Sequence, residues 1–533
     1  MPQFWDQFRN SLSGASRRDL FRRGGMLALA QSLTGTGNAA PLELSSRLYE
    51  SIGVRPVINA RGTFTIISGS QSLDEVKKAM EEASRHYVHL DELMNGVSRR
   101  IAEITQAEWA IVTNGCSAAL THFTAAAIAG FNPERMQRLP DLSGLKNEVI
   151  IPSYSRNQYD HSIRMLGVKV IEAPDLATLE ASIHDRTAMI YILAGLQDSG
   201  PFGTKAIVEV ASRKKIPVLV DAAAEILTIP NVHLARGATA VAYSGGKCIR
   251  GPQSAGFLLG NKEMLQAAWT NSAPHHAFGR SLKVGKEEIM GMLAAIEMWV
   301  KRDHKAEWQQ WETKLAYIAD QLKGVEGVTA SVVQPSADLS NRTPSLRVQW
   351  DGTRLGITGQ ELAKLMLDTE PRIVVANAAG ARPNSMSSAV SIVPYMMMPG
   401  EEKLVANKLY ALLATPPKME SAAAAQAPTI SLSGQWELWM DFGRGSAAHS
   451  LLFEQDGAKL SGTHRGEFAS GDLSGSLAGK LVRFRSSLPT LGSRVSFEFS
   501  GALEGEQLQG SVNLGEYGQT TWTARRHNLA PRN

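Results

Sequence analysis

Between Ala414 and Thr429 the chain reads ATPPKMESAAAAQAPT, and the hydrophobic pattern has a different period on either side of it. Such a Pro/Ala-rich stretch reads as a linker between domains. Upstream, from about 42 to 413, helical and strand patterns alternate. Helices are expected over Asp74–Val88 (with Asp74 as a cap), Asn95–Thr105 and Ser117–Ala129, and a long helical region over 287–325. Strands are expected at Trp109–Thr113, Val149–Ile151, Val168–Ile171, Ala188–Ile192, Val218–Val220, Ala240–Ala242, Gly256–Leu259 and Ser345–Trp350. That alternation predicts an α/β domain with a mainly parallel sheet covered on both faces. Downstream the period is two, as in Gln435–Trp439, Ser450–Glu454, Lys480–Phe484 and Val495–Phe499. Short strands separated by Gly-rich turns predict a small antiparallel barrel or sandwich over 430–526.

At 533 residues the chain is long enough for several domains. A net charge of +4, with no dense basic face, argues against a nucleic-acid binder. Residues 1–40 have the make-up of a twin-arginine export signal: Arg17-Arg18 before Leu20-Phe21, a short apolar stretch from Met26 to Leu33, and small residues at Asn38-Ala39-Ala40. The apolar stretch is too short to span a bilayer, so no transmembrane anchor is expected. The expected location is the periplasm or cell envelope, with the cytoplasm as the alternative. Two cysteines, Cys116 and Cys248, make neither a disulfide framework nor a metal cluster, and no metal site is expected.

The chemistry is concentrated at two strand ends. Asp221 closes the run Ile216–Val220, and Val241–Ser244 runs into Gly245-Gly246-Lys247. An aspartate and a lysine at the ends of successive strands suit pyridoxal 5′-phosphate. The lysine amine can form a Schiff base with the cofactor aldehyde, and the aspartate can keep the pyridine nitrogen protonated so that the ring accepts electrons. Asn114-Gly115-Cys116-Ser117 follows a strand and opens a helix, so its free N–H groups and helix dipole offer an anion site for the phosphate. Ser117 and Ser244 can add hydroxyl donors, and Gly245 and Gly246 allow close approach of the lysine loop.

The motifs VINARGTFT (57–65), AEWAIVTNGCSAAL (107–120), RNQYDHSIRMLGVKVIE (156–172), VDAAAE (220–225), SGGKCIRGPQSAGFLLG (244–260) and GRSLKVGKEEIMG (279–291) together resemble the fold-type I pyridoxal phosphate enzymes. Within them they resemble the branch of bacterial selenocysteine synthase and the D-glucosaminate-6-phosphate ammonia-lyases. The resemblance covers about 50 to 410, and the ammonia-lyase side fits better because the N-terminal region reads as an export signal rather than a tRNA-recognition domain.

The resemblance implies a catalytic region over 41–413, with a large domain at about 90–290 and a small domain from the N-terminal segment and about 310–413. Lys247 is then the Schiff-base lysine and proton carrier at Cα, and Asp221 the pyridinium partner. Ala223 packs under one ring face and His161 stacks on the other. Asn114, Gly115, Cys116, Ser117 and Ser244 surround the phosphate. Arg61, Arg250 and Arg280 are expected to contact substrate anions, with Lys286 a further candidate. The implied activity is Cα deprotonation and β-elimination on a small amino acid or amino-sugar acid, giving a 2-keto acid and ammonia, in a homodimer or higher homo-oligomer. A transferase (selenocysteine synthase-like or an aminotransferase) and a racemase are the enzymatic alternatives. An exported binding protein using the β-domain, whose partner the sequence leaves unnamed, is the non-enzymatic one.

Overall fold

A computed structural model describes residues 42–336, 338–381, 386–417 and 427–527. The expected export signal, and most of the expected linker, lie outside the described residues. The chain divides into two compact units. One runs up to Tyr154 and resumes from Leu166 to Glu420; the other joins Ser155–Met165 to the residues from Ser421 onward.

The strands of the first unit are β1 (Ile58–Ala60), β2 (Trp109–Thr113), β3 (Glu148–Pro152), β4 (Lys169–Ala173), β5 (Thr187–Leu193), β6 (Val218–Asp221), β7 (Ala240–Ser244), β8 (Gly256–Gly260), β9 (Val328–Val333), β10 (Ser345–Trp350), β11 (Ile373–Ala379) and β12 (Ser388–Ile392). Seven form a sheet in the order β2-β8-β7-β6-β5-β3-β4. From β7 to β4 every pairing is parallel, and β8 runs antiparallel to both β2 and β7. Apart from β4 its strands are buried along nearly their whole length, which is why they read as unbroken apolar runs. Parallel pairing matters for function because it brings the C-terminal ends of β6 and β7, carrying Asp221 and Ser244, to one sheet edge.

A second sheet has the order β1-β11-β12-β10-β9. Its core joins Leu346, Val348 and Trp350 to Leu315, Ile318 and Leu322 of one helix and Leu409 and Leu412 of another. The helical region expected over 287–325 is two helices, Lys286–Lys301 and His304–Leu322. The chain turns out at Arg302, and the Asp303 side chain accepts from Lys305 N and Ala306 N, starting the second helix. Asp74, expected as a cap, is instead the first helical residue after Leu73. There its carboxylate still complements the helix dipole.

In the second unit, β13 (Gly434–Asp441), β14 (Ser446–Asp456), β15 (Lys459–Arg465), β16 (Ser470–Ala478), β17 (Leu481–Thr490), β18 (Ser493–Glu504), β19 (Gln507–Asn513) and β20 (Gln519–Arg526) form a closed antiparallel barrel. Alternate residues point inward, so Val482, Phe484 and Leu488 are buried while Arg483 and Arg485 are exposed. Phe484 stacks on Phe499 with ring centroids 4.4 Å apart, and Trp522 meets both edge-on. The short segment Ser155–Met165 belongs with this unit. Its buried Asp160 accepts from Arg156 Nε and Arg164 Nε at 2.7 Å each, and Arg164 Nη2 donates to Leu491 O between β17 and β18.

Candidate active site

Asp221 ends β6 with 3% of its surface exposed. Its Oδ1 accepts from Ala223 N at 3.0 Å and faces the Cys116 thiol at 3.5 Å, and its Oδ2 accepts from Tyr191 OH at 2.9 Å. Burial pushes the carboxyl above its usual range, against these three donors and the positive charge of Lys247, which all pull it down. A buried carboxylate in this state is short of positive charge. A protonated pyridine nitrogen supplies it, so the aspartate fits the cofactor that the sequence suggests. The same burial drives the Cys116 thiol well up, as does the adjacent Asp221. Cys116 is therefore a packed thiol and not a thiolate nucleophile.

The phosphate candidates sit at the opening of the helix Gly115–Ala129. Nearly all of this helix is buried, whereas Asn114 and Gly115 are half-exposed and Ser117 is exposed. No side chain caps its first turn, so the leading N–H groups remain available to an oxyanion. Gly115 takes φ +78°, which glycine adopts without strain. Gly256 of β8 faces this turn, and a Cβ there would lie 2.5 Å from Gly115 C and 2.6 Å from Cys116 N. Close backbone approach is what holds the helix opening against the sheet.

Ser244 ends β7 and pairs with Gly256. The loop beyond it is fixed by Gly245 N to Ala255 O at 2.8 Å, Gly251 N to Gly245 O at 2.8 Å and Ser70 N to Gly246 O at 3.0 Å. Lys247 is half-buried in this loop, and its charge is felt at both Asp221 and Cys116. The structure thus brings together Asp221, Ala223, Cys116 and Lys247, next to Ser244 and the Asn114–Ser117 turn.

The remaining candidates are more scattered. His161 is exposed at the start of the short helix His161–Arg164, in the segment grouped with the barrel. Arg61 lies 4.2 Å above the Phe64 ring. Arg280 is exposed. Lys286 is engaged by Ala83 O at 2.8 Å and by Glu287, so its ammonium is already partnered. Arg250 takes φ +60° and donates through Nε to Gln71 O at 3.0 Å.

Two features escaped sequence reasoning. Tyr191 looked like one more apolar residue of β5, yet its hydroxyl is aimed at Asp221. A cavity of about 870 Å³ also opens beside the turns that carry Ala223 and Lys247. Ala224 and Cys248, each one residue beyond Ala223 and Lys247, line it, together with Trp299, Trp308, Trp311 and Tyr395. Asn341 N donates to Ala224 O at 2.9 Å, tying this wall to the strap before β10.

Comparison with known proteins identifies the family. Residues 70–344 match the aminotransferase class-V family. The chain is 29% identical over 378 residues to D-glucosaminate-6-phosphate ammonia lyase of Salmonella typhimurium, covering 69% of this chain and 98% of that protein. It is 29% identical to a 5′-C-glycyluridine monooxygenase-decarboxylase of a Streptomyces species, over 53% of this chain and 73% of that one. It is 23% identical to L-seryl-tRNA(Sec) selenium transferase of Proteus mirabilis, over 48% and 59% respectively. A solved structure of D-glucosaminate-6-phosphate ammonia-lyase superimposes with a TM-score of 0.61 at 26% identity, covering 69% of this chain and 99% of that one. The chain therefore belongs to the aminotransferase class-V family of fold-type I, pyridoxal phosphate-dependent enzymes, and carries a C-terminal β-barrel in addition.

Proposed function

We propose that this enzyme is a lyase acting on an amino-sugar acid or a small β-hydroxy amino acid. It removes the Cα proton, expels the β-hydroxyl as water, and releases an enamine that takes up water to give a 2-keto acid and ammonia. The net change is loss of ammonia, so no oxidant or reductant is consumed. The observation that carries this reading is the buried Asp221 carboxylate at the end of β6, within the field of Lys247 on the loop that follows the adjacent β7. Similarity to an ammonia lyase along almost that protein's whole length favours elimination over transfer.

In this reading Asp221 and Ala223 hold the cofactor ring and the Asn114–Ser117 turn with Ser244 holds its phosphate. Pyridoxal phosphate supplies an electrophilic carbon for the Lys247 amine and an electron sink for the charge left at Cα. Lys247, once exchanged for the substrate amine, carries the proton from Cα. Tyr191 and Ala223 N keep the Asp221 carboxylate aimed and ionised. His161 is assigned to the outer ring face, and Arg61 and Arg280 to substrate anions, on the family resemblance alone. A homo-oligomer and an exported location are part of the same proposal, the latter resting on the residues before Pro41.

The test is to incubate the holoenzyme in D₂O with D-glucosaminate 6-phosphate and a panel of β-hydroxy amino acids, following products by NMR and ammonia by assay. The proposal predicts equimolar keto acid and ammonia. Deuterium at Cα without ammonia would identify a racemase. Keto acid matched by conversion of the cofactor to its amine form would identify an aminotransferase.

A further inference from the structure

The cavity beside the lysine loop has an unusual charge inventory. Arg302 donates to both carboxylate oxygens of Glu307, at 2.8 and 3.0 Å, and to Cys248 O at 3.0 Å, so this pair is closed on itself. Glu312 accepts from Gln334. Two half-buried cations are left over. Arg250 spends Nε on Gln71 O, and its two terminal nitrogens have no partner among the described residues. Lys314 donates to Met397 O at 2.5 Å. Neither makes an ion pair among the described residues. Glu401 and Glu402 lie on the Lys314 side, but each accepts from the backbone, at Met398 N and Gly400 N.

Burying a cation without a paired counter-ion is unfavourable, and here only carboxylates beyond ion-pair reach oppose it: Glu307, Asp74 and Glu75 for Arg250, Glu402 and Glu401 for Lys314. Burial holds both groups below their ordinary range. Arg302 pushes Arg250 the same way, and Arg250 pushes Lys314. A guanidinium fork and an ammonium directed at one space form a receptor for an oxyanion. The volume is within the roughly 300–1,000 Å³ of small-molecule sites, and the aromatic walls suit a carbon chain. Ala224 and Cys248 line this space while the preceding residues belong to the other site, Ala223 N donating to Asp221 and Lys247 acting on it through its charge, so the two sites share the same turns.

We propose that this cavity receives the remote anionic group of the substrate, a phosphate or carboxylate several bonds from the reacting amine, with Arg250 and Lys314 as its contacts. The assignment rests on the reading of Lys247 as the catalytic amine. It makes the enzyme selective for long, terminally charged amino acids over short ones.

The experiment is calorimetric titration of the holoenzyme with 6-phosphogluconate, glucarate and gluconate, which share a polyol chain and differ in the terminal group. The expected result is tighter binding of one terminally charged ligand than of gluconate, by about tenfold or more, and which ligand gains identifies phosphate or carboxylate as the remote group. In Arg250→Met and Lys314→Met the preference collapses, Arg250→Lys restores part of it, and Lys247→Ala keeps it. Equal binding of all three ligands, or a preference that survives both methionine variants, overturns the proposal. So does loss of the preference with no change in the kcat/KM ratio between phosphorylated and unphosphorylated substrates, because the cavity would then serve an effector. A preference that behaves as expected in an enzyme that turns over no amino acid supports the anion site and counts against the lyase reading alone.

Discussion

The barrel and the α/β unit bury polar groups in opposite ways. Inside the barrel, His449 Nδ1 meets His464 Nε2 at 2.8 Å, and His464 Nδ1 meets Ser486 Oγ at 2.6 Å, so a chain of three groups satisfies itself among Phe497 and Phe499. In the α/β unit, Asp221, Arg250 and Lys314 are buried or half-buried without a closed ion pair among the described residues, and burial is the largest influence on each. A closed network specifies a core, whereas an open one has a cost that a ligand can repay. By this criterion the α/β unit is where a ligand finds charge to compensate, whereas the His449–His464–Ser486 chain already satisfies itself inside the barrel.

The largest effect should come from Lys247→Ala. Turnover should fall by roughly 10²–10⁴-fold or more, since a proton carrier is lost together with the covalent anchor. Stopped-flow or product assays would show it. A residual activity within a fewfold of the parent would mean that the buried carboxylate of Asp221 serves something other than a lysine-bound cofactor.

Next is Phe484→Ala, which removes a ring buried between Phe499, Phe453 and Trp522. It should destabilise the barrel by about 3–5 kcal/mol, seen as a shifted calorimetric transition, with the cofactor spectrum of the α/β unit unchanged. A matching loss of cofactor would show that the two units are not energetically separate.

Asp221→Asn should act in opposite directions on the two forms of the enzyme. The folded-state pKa of Asp221 is raised, so at neutral pH its ionised form destabilises the cofactor-free protein. That penalty is fully present above the raised value and disappears as pH falls below about 3.8. The variant should therefore melt higher than the parent without cofactor at pH 7, with the gap closing toward pH 4, and should bind the cofactor more weakly. Thermal melts across that range, with and without pyridoxal phosphate, would sharpen the contrast; a variant less stable in both forms would contradict it.

A smaller effect concerns the barrel histidines. Burial holds His464 at about 3 and keeps His449 low as well. Because the folded values are depressed, stability from this pair is complete above the ordinary histidine range and is lost as pH falls from about 6.5 toward 3. The barrel should unfold more readily at pH 4.5 than at pH 7.5, and His464→Gln should flatten that dependence. Tryptophan fluorescence melts would check it.

The Asp221 and Lys247 candidates were readable because each is punctuated locally: Asp221 closes an apolar run and Lys247 follows a Ser-Gly-Gly turn. The barrel strands were readable because an inward residue alternates with an outward one, although whether the sheet closes depends on β20 pairing with β13, some eighty residues away. Tyr191 was hidden because its polar tip sits inside the apolar run Ala188–Leu193. The cavity was hidden for a different reason. Arg250, Lys314 and Tyr395 are far apart in sequence, and Trp299, Trp308 and Trp311 show only helical spacing until the chain breaks at Arg302 and the two helices fold around one space.

Lys247 holding the cofactor opposite Asp221 is the arrangement on which the proposed chemistry depends. Its most direct test is to reduce the purified holoenzyme with borohydride and map the modified residue by peptide mass spectrometry, with Asp221→Asn in parallel. One reduced pyridoxyl group is expected, on Lys247, with bleaching of the visible absorbance band and weaker cofactor retention in Asp221→Asn. A group trapped on another lysine, or full labelling of Lys247 with cofactor affinity unchanged in Asp221→Asn, would contradict it.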